Sequence, residues 1–173
     1  MSLFRIKDSL QLPELKMEAD HKYMLSLSHK WDTAQDATAT IKRQLCLLLP
    51  GVSVFLDVDD LESIDALEQY ADQSAVIMIF VSQGYFKSFN CRRELYAALA
   101  SNRPFIPIQE ADVDKGGASI EALKAECREH CVDTAPAAYP SYSGPGEMLA
   151  RVFEEAAPIV WVRVNAFQLE SLT

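Results

Sequence analysis

Glycine, histidine and positive charge are all scarce in this chain of 173 residues, and each scarcity closes off a class of function. None of the six glycines falls into a G-x-G-x-x-G or G-x-x-x-x-G-K pattern, so neither loop that cradles nucleotide phosphates is present. With 16 Lys and Arg against 25 Asp and Glu the net charge is −9, which leaves no diffuse positive field to gather a nucleic-acid backbone or an anionic membrane surface. The longest apolar runs, such as Ala75 to Val81, are far too short to span a bilayer, and the N-terminus lacks the apolar stretch of a secretory signal. Together these absences predict a soluble cytoplasmic protein that engages neither nucleic acid nor membrane through this chain. Four scattered cysteines, Cys46, Cys91, Cys127 and Cys131, then read as free thiols rather than a disulfide framework. Only His21, His29 and His130 can act as bases near neutral pH, and no serine or cysteine sits beside one in a nucleophile pattern. Cys127, His130 and Cys131 lack the fourth ligand a zinc site needs, so no metal is expected.

What is present is apolar patterning sufficient for one core: 49% of the residues are hydrophobic. Residues 1–22 mix charge with isolated leucines and read as an N-terminal arm; residues 23–173 read as one domain. Strands are predicted near residues 23–27, 53–57, 75–81, 104–108 and 159–162, and the near-continuous apolar run Ala75 to Val81 marks the third as covered on both faces. Pro107 argues for a place near the sheet edge for the fourth. Between the first two strands, Asp32 or Thr33 caps a helix with Ala37, Ile41, Leu45, Leu48 and Leu49 on one face, stopped by Pro50-Gly51. A helix with Cys91, Leu95, Ala98 and Leu99 on one face follows the third strand, and further helices are predicted over Ile120 to His130 and around Glu147 to Ala156. Strands alternating with helices through short loops imply an α/β fold with a parallel sheet covered on both sides.

One acidic run, Asp57-Val58-Asp59-Asp60-Leu61, resembles the way haloacid-dehalogenase-type phosphohydrolases present a nucleophilic aspartate and its acid partner to Mg²⁺ at a strand end. The helix near Ser63 follows too soon for the flap that family inserts there, which ranks a solvated loop above a metal site.

A second signal is distributed along the chain. Tyr23 to Lys30, Gly51 to Asp57, and above all Ile79-Phe80-Val81-Ser82-Gln83-Gly84-Tyr85-Phe86-Lys87-Ser88-Phe89-Asn90-Cys91-Arg92-Arg93-Glu94-Leu95 resemble, in order and spacing, the signature segments of Toll/interleukin-receptor (TIR) domains. The last segment is similar to the family pattern of a strand, a serine, an aromatic and then S-x-W-C-x-x-E-L opening a helix. The tail Trp161 to Leu169 resembles that of TIR-containing proteins of algae and oomycetes. The resemblance implies a flavodoxin-like five-stranded parallel sheet of order 2-1-3-4-5 with helices on both faces.

In such a sheet the chain leaves strands one and three in opposite directions, opening a crevice at their carboxyl ends. Here Ser28, His29 and Trp31 would line it from one side, and Ser82, Ser88, Phe89, Cys91 and Glu94 from the other. The resemblance implies that Glu94 matches the glutamate with which enzymatic members cleave the nicotinamide-ribose bond of NAD, a reaction needing no cofactor since NAD is the substrate. It also implies homotypic partners, other TIR domains, and the charges of this chain then suggest a head-to-tail contact in which Asp59, Asp60 and Glu62 face Lys87, Arg92 and Arg93 of a neighbour. Three departures keep a non-enzymatic interaction module open beside NAD hydrolysis or cyclisation. Asn90 stands where the family commonly has Trp, the loop from Asp57 to Leu67 is short and lacks its glycine, and Ser28 and His29 replace the paired arginines of an NAD-cleaving member. An Mg²⁺-dependent phosphohydrolase using Asp57 is the third and most distant reading, and Glu94 as an ordinary exposed helical charge is the alternative to any site at all.

Overall fold

The computed structural model describes residues 17, 21–60, 67–132 and 142–163. Most of the N-terminal arm, Glu62, the stretch 133–141 and the tail from 164 onward lie outside the described residues. Five parallel strands, β1 (Tyr23–His29), β2 (Val54–Leu56), β3 (Ser74–Val81), β4 (Phe105–Glu110) and β5 (Ile159–Trp161), form one sheet in the order β2-β1-β3-β4-β5. The flavodoxin-like α/β fold expected from the sequence is the fold observed.

Alternation along β3 explains how the two layers form. Ile77, Ile79 and Val81 point into a core shared with α4 (Phe89–Ala100), α5 (Ile120–His130) and α6 (Pro145–Leu149). Met78 and Phe80 point the other way, into a core with Leu25 and Leu27 of β1 and with Ala34, Ala37 and Ile41 of α1 (Trp31–Leu48). Each apolar side chain of this size removed from water contributes about 1.5–3 kcal/mol. The central strand, buried on both faces, is therefore the strongest determinant of the architecture. A four-residue helix α2 (Asp57–Asp60) follows β2, and α3 (Leu67–Asp72) precedes β3.

β4 lies next to the edge strand, as Pro107 argues, and the proline is tolerated because β5 pairs only with Ile108–Glu110, leaving the stretch at Pro107 bordered on one side alone. Other local expectations do need correction. Helix α1 begins at Trp31 with Lys30 as its N-cap residue and no side-chain cap, so neither Asp32 nor Thr33 caps it. The helix expected near 147–156 is split into α6 and a π turn over Ala150–Glu154. No helix among the described residues is long and apolar enough to cross a membrane.

Candidate functional site

The site is built at the carboxyl ends of β1 and β3, where the chain departs in opposite directions. β1 runs on to His29, so Ser28 and His29 are strand residues rather than loop residues, and the alternation of the strand sends their side chains to opposite faces. Ser28 points toward α4 and His29 toward the α1 side, next to Asp57.

Beyond β3, the loop from Ser82 to Ser88 turns at Gly84, whose φ of 83° suits glycine and whose missing Cβ makes room for the Lys30 side chain. Ser88 then caps α4, its Oγ accepting from the Cys91 amide at 3.4 Å. From that fixed start, Cys91, Glu94, Leu95 and Ala98 fall on one buried stripe by their three-to-four spacing. A glutamate thus occupies a core position, only 8% exposed, which overturns the alternative of an ordinary solvent-facing charge.

Glu94 lies at the end of a buried relay. The Tyr85 hydroxyl is 2.7 Å from Ser28 Oγ, and Ser28 in turn donates to Glu94 Oε2. Burial pushes the Glu94 carboxyl up to about 8, against the pull of the Ser28 hydrogen bond, and the Asp57 charge adds to the rise. Arg93 works in the opposite direction, but its guanidinium is engaged by Glu68 of α3 through two hydrogen bonds of 2.5 and 2.7 Å. Glu94 therefore sits protonated in the free protein near neutral pH, with a pKa suited to changing state in the working range.

Around it opens a recess of about 200 Å³ lined by His29, Lys30, Trp31, Asp32, Asp57, Leu67, Ser88, Asn90, Cys91 and Glu94. Five of the eight residues expected at the crevice, His29, Trp31, Ser88, Cys91 and Glu94, meet here, and Ser28 backs Glu94 from behind. Cys91 is buried and its thiol donates to the His29 carbonyl at 3.3 Å; burial pushes that thiol well above its ordinary range, so it is no nucleophile. Phe89 stands 68% exposed outside the recess, with the Arg93 guanidinium 5.8 Å from its ring centre. Ser82 is not brought to the recess; it is fully buried and bonded to Thr33 at 2.8 Å.

Two residues that the sequence alone placed elsewhere, or not at all, belong to this architecture. Asp57 is buried, not part of a solvated loop: it accepts the Trp31 indole N–H, and its Oδ1 lies 3.7 Å from His29 Nδ1. Glu126 of α5 accepts the amides of Gly84 (2.9 Å) and Phe86 (2.8 Å), tying the loop that launches α4. The first was visible as an acid at a strand end. The second follows from a contact across some forty positions that no local pattern announces. Among the described residues no three His, Cys, Asp or Glu side chains are grouped to hold a metal ion.

The charged residues expected at a contact surface are partly consumed within the chain. Asp59 pairs with Lys42 at 3.1 Å, and Arg92 donates to the Phe86 and Lys87 carbonyls at 2.6 and 2.8 Å. Lys87 is exposed.

The family profile described as TIR domain matches residues 26–132. No curated protein matches the chain. Among solved structures, the TIR domain of the Toll-related receptor TRR-2 from Hydra magnipapillata is similar at 18% identity, with a TM-score of 0.43, over 50% of this chain and 70% of that one.

Proposed function

The chain belongs to the TIR domain family, a family of signalling modules that typically interact with other TIR domains, and from that premise we propose that it is a cytoplasmic, self-associating TIR domain that cleaves NAD with Glu94. The observation that carries this reading is the buried carboxyl of Glu94, held by Ser28 at the floor of a recess at the β1–β3 switch point.

In the reaction the C1′–N bond breaks and neutral nicotinamide leaves with the bonding electron pair, so positive charge develops on the ribosyl ring. An ionised Glu94 stabilises that charge electrostatically and by accepting from ribose hydroxyls. Water, or a nitrogen of the adenine, then attacks C1′ to give the linear or the cyclic product. The cationic pyridinium of bound NAD favours the carboxylate form of Glu94, offsetting the burial that keeps it protonated in the free protein. No protein nucleophile or metal is invoked.

A recess of about 200 Å³ is smaller than most complete ligand sites and suits the nicotinamide-ribose end. Trp31 and Asp32 also border a larger cleft of about 810 Å³ that includes Lys115 and Arg163, giving the rest of the dinucleotide a path across the indole. The competing reading, a purely structural TIR interaction module, is favoured by one observation: a glutamate protonated near neutral pH is not yet the carboxylate that cleavage needs. Incubating concentrated protein with NAD and following nicotinamide separates the two. Release that disappears in Glu94→Ala supports the enzyme; none at any protein concentration leaves the interaction module.

A further inference from the structure

His29 presents a problem that the relay to Glu94 does not solve. Its side chain is fully buried at the end of β1, and neither ring nitrogen has a hydrogen-bond partner. Burying an imidazole with two unsatisfied nitrogens is costly, so such a group calls for a ligand or a water that the fold does not itself supply. His29 is among the residues lining the recess, and its buried ring lies beside Asp57, whose carboxylate accepts the Trp31 indole N–H. Burial lowers the His29 pKa below its ordinary value, more than the Asp57 charge raises it, so the ring is neutral and carries one N–H donor and one lone pair.

The charges around this pair are largely accounted for. Lys30 lies on Asp32, with its ammonium 2.5 Å from both carboxylate oxygens, and Arg93 lies on Glu68. The end of the recess thus offers an N–H donor from a neutral ring beside a carboxylate acceptor, in a setting of negative sign.

We propose that His29 and Asp57 read the carboxamide of the substrate's pyridine ring, so that the site takes nicotinamide-bearing dinucleotides and turns away those carrying nicotinic acid. The amide NH₂ donates to Asp57 and the amide C=O accepts from the imidazole N–H, which gives one of the two unpartnered ring nitrogens its bond. Nicotinic acid has no N–H to give, and its carboxylate would be set against Asp57. Like charges facing each other in a buried site repel strongly enough to reject the acid by about tenfold or more. This inference rests on the NAD-cleavage reading for its biological substrate, but recognition itself can be measured without turnover.

The test titrates the intact protein with free nicotinamide and with free nicotinate near neutral pH, reading thermal stabilisation and the His29 imidazole signals by NMR. A parallel assay compares kcat/KM for NAD and for nicotinic acid adenine dinucleotide. The expected result is perturbation by nicotinamide at concentrations where nicotinate does nothing, with NAD preferred by about tenfold or more. Asp57→Asn keeps an oxygen for the Trp31 indole and removes the charge, and should narrow the preference toward parity. Binding of nicotinate as tightly as nicotinamide, binding of neither, or an unchanged preference in Asp57→Asn would overturn the proposal. The wild-type comparison needs no variant, so poor folding of Asp57→Asn would not remove the test. Selective nicotinamide binding with no cleavage of NAD would sink the enzyme reading alone, whereas equal cleavage of both dinucleotides would sink this one alone.

Discussion

Ser28 and Glu94, 66 residues apart in sequence, are joined by a buried hydrogen bond between β1 and α4. That bond ties the two sides of the recess together, and it holds the carboxyl whose protonation state decides what the site can do. Its electrostatic consequences can be measured without knowing any substrate.

Because the folded protein raises the Glu94 pKa above its value in an unfolded chain, the folded state binds this proton more tightly. Between the ordinary glutamate range and about pH 8, stability falls as pH rises, with a slope approaching about 1.4 kcal/mol per pH unit. Glu94→Gln removes that slope. Chemical denaturation across this window should show the variant gaining on wild type toward pH 8 and matching it most closely in acid; a pH-independent difference would remove the assignment.

Ser28→Ala deletes the hydrogen bond that holds the Glu94 pKa down and leaves the buried Tyr85 hydroxyl without its partner. The destabilisation should be about 1–3 kcal/mol. For an active enzyme that needs the carboxylate, kcat/KM in the wild type rises with pH through about 8, and the variant's limb moves to higher pH. A lower rate with an unmoved limb would reduce Ser28 to packing.

Glu126 touches nothing in the recess, yet its carboxylate gathers two amides of the loop that launches α4. Glu126→Ala should cost about 1–3 kcal/mol and lower kcat/KM by loosening Ser88 and Glu94. Hydrogen exchange should show faster exchange at Gly84 and Phe86 in the variant, with the β1 amides unchanged. Protection persisting at both loop amides would show the loop to be held by other means.

Legibility in the sequence followed the range of the forces involved. The five strands were readable because Ala75 to Val81 and its counterparts are local apolar runs, and the TIR segments located Glu94 and most of the recess with them. Pro107 points to the neighbourhood of the edge, where β4 lies, but it reports only its own missing N–H, not how far the neighbouring strand extends. Asp57 was visible as an acid at a strand end, but its burial depends on Trp31 and His29 folding over it. Tyr85 and Glu126 act through contacts made by packing of distant elements, and no local spacing encodes those.

Assembly should be weak and concentration-dependent. Asp59 already pairs with Lys42, and Arg92 and Arg93 are engaged within the chain, so an electrostatic contact between copies would have to compete with internal partners. Sedimentation velocity at rising concentration and low ionic strength should show reversible growth that salt reduces. Turnover per molecule should rise with it. A strict monomer whose turnover per molecule does not change with concentration would contradict self-association.

The central claim is that Glu94 cleaves the nicotinamide-ribose bond, and nicotinamide release from NAD near pH 8 tests it most directly, with wild type, Glu94→Gln and Asp57→Asn assayed side by side at high protein concentration. The account predicts release by wild type, loss to background in Glu94→Gln, and retained cleavage with altered pyridine preference in Asp57→Asn. Release that persists in a folded Glu94→Gln, or its absence from wild type under assembly conditions, would contradict it.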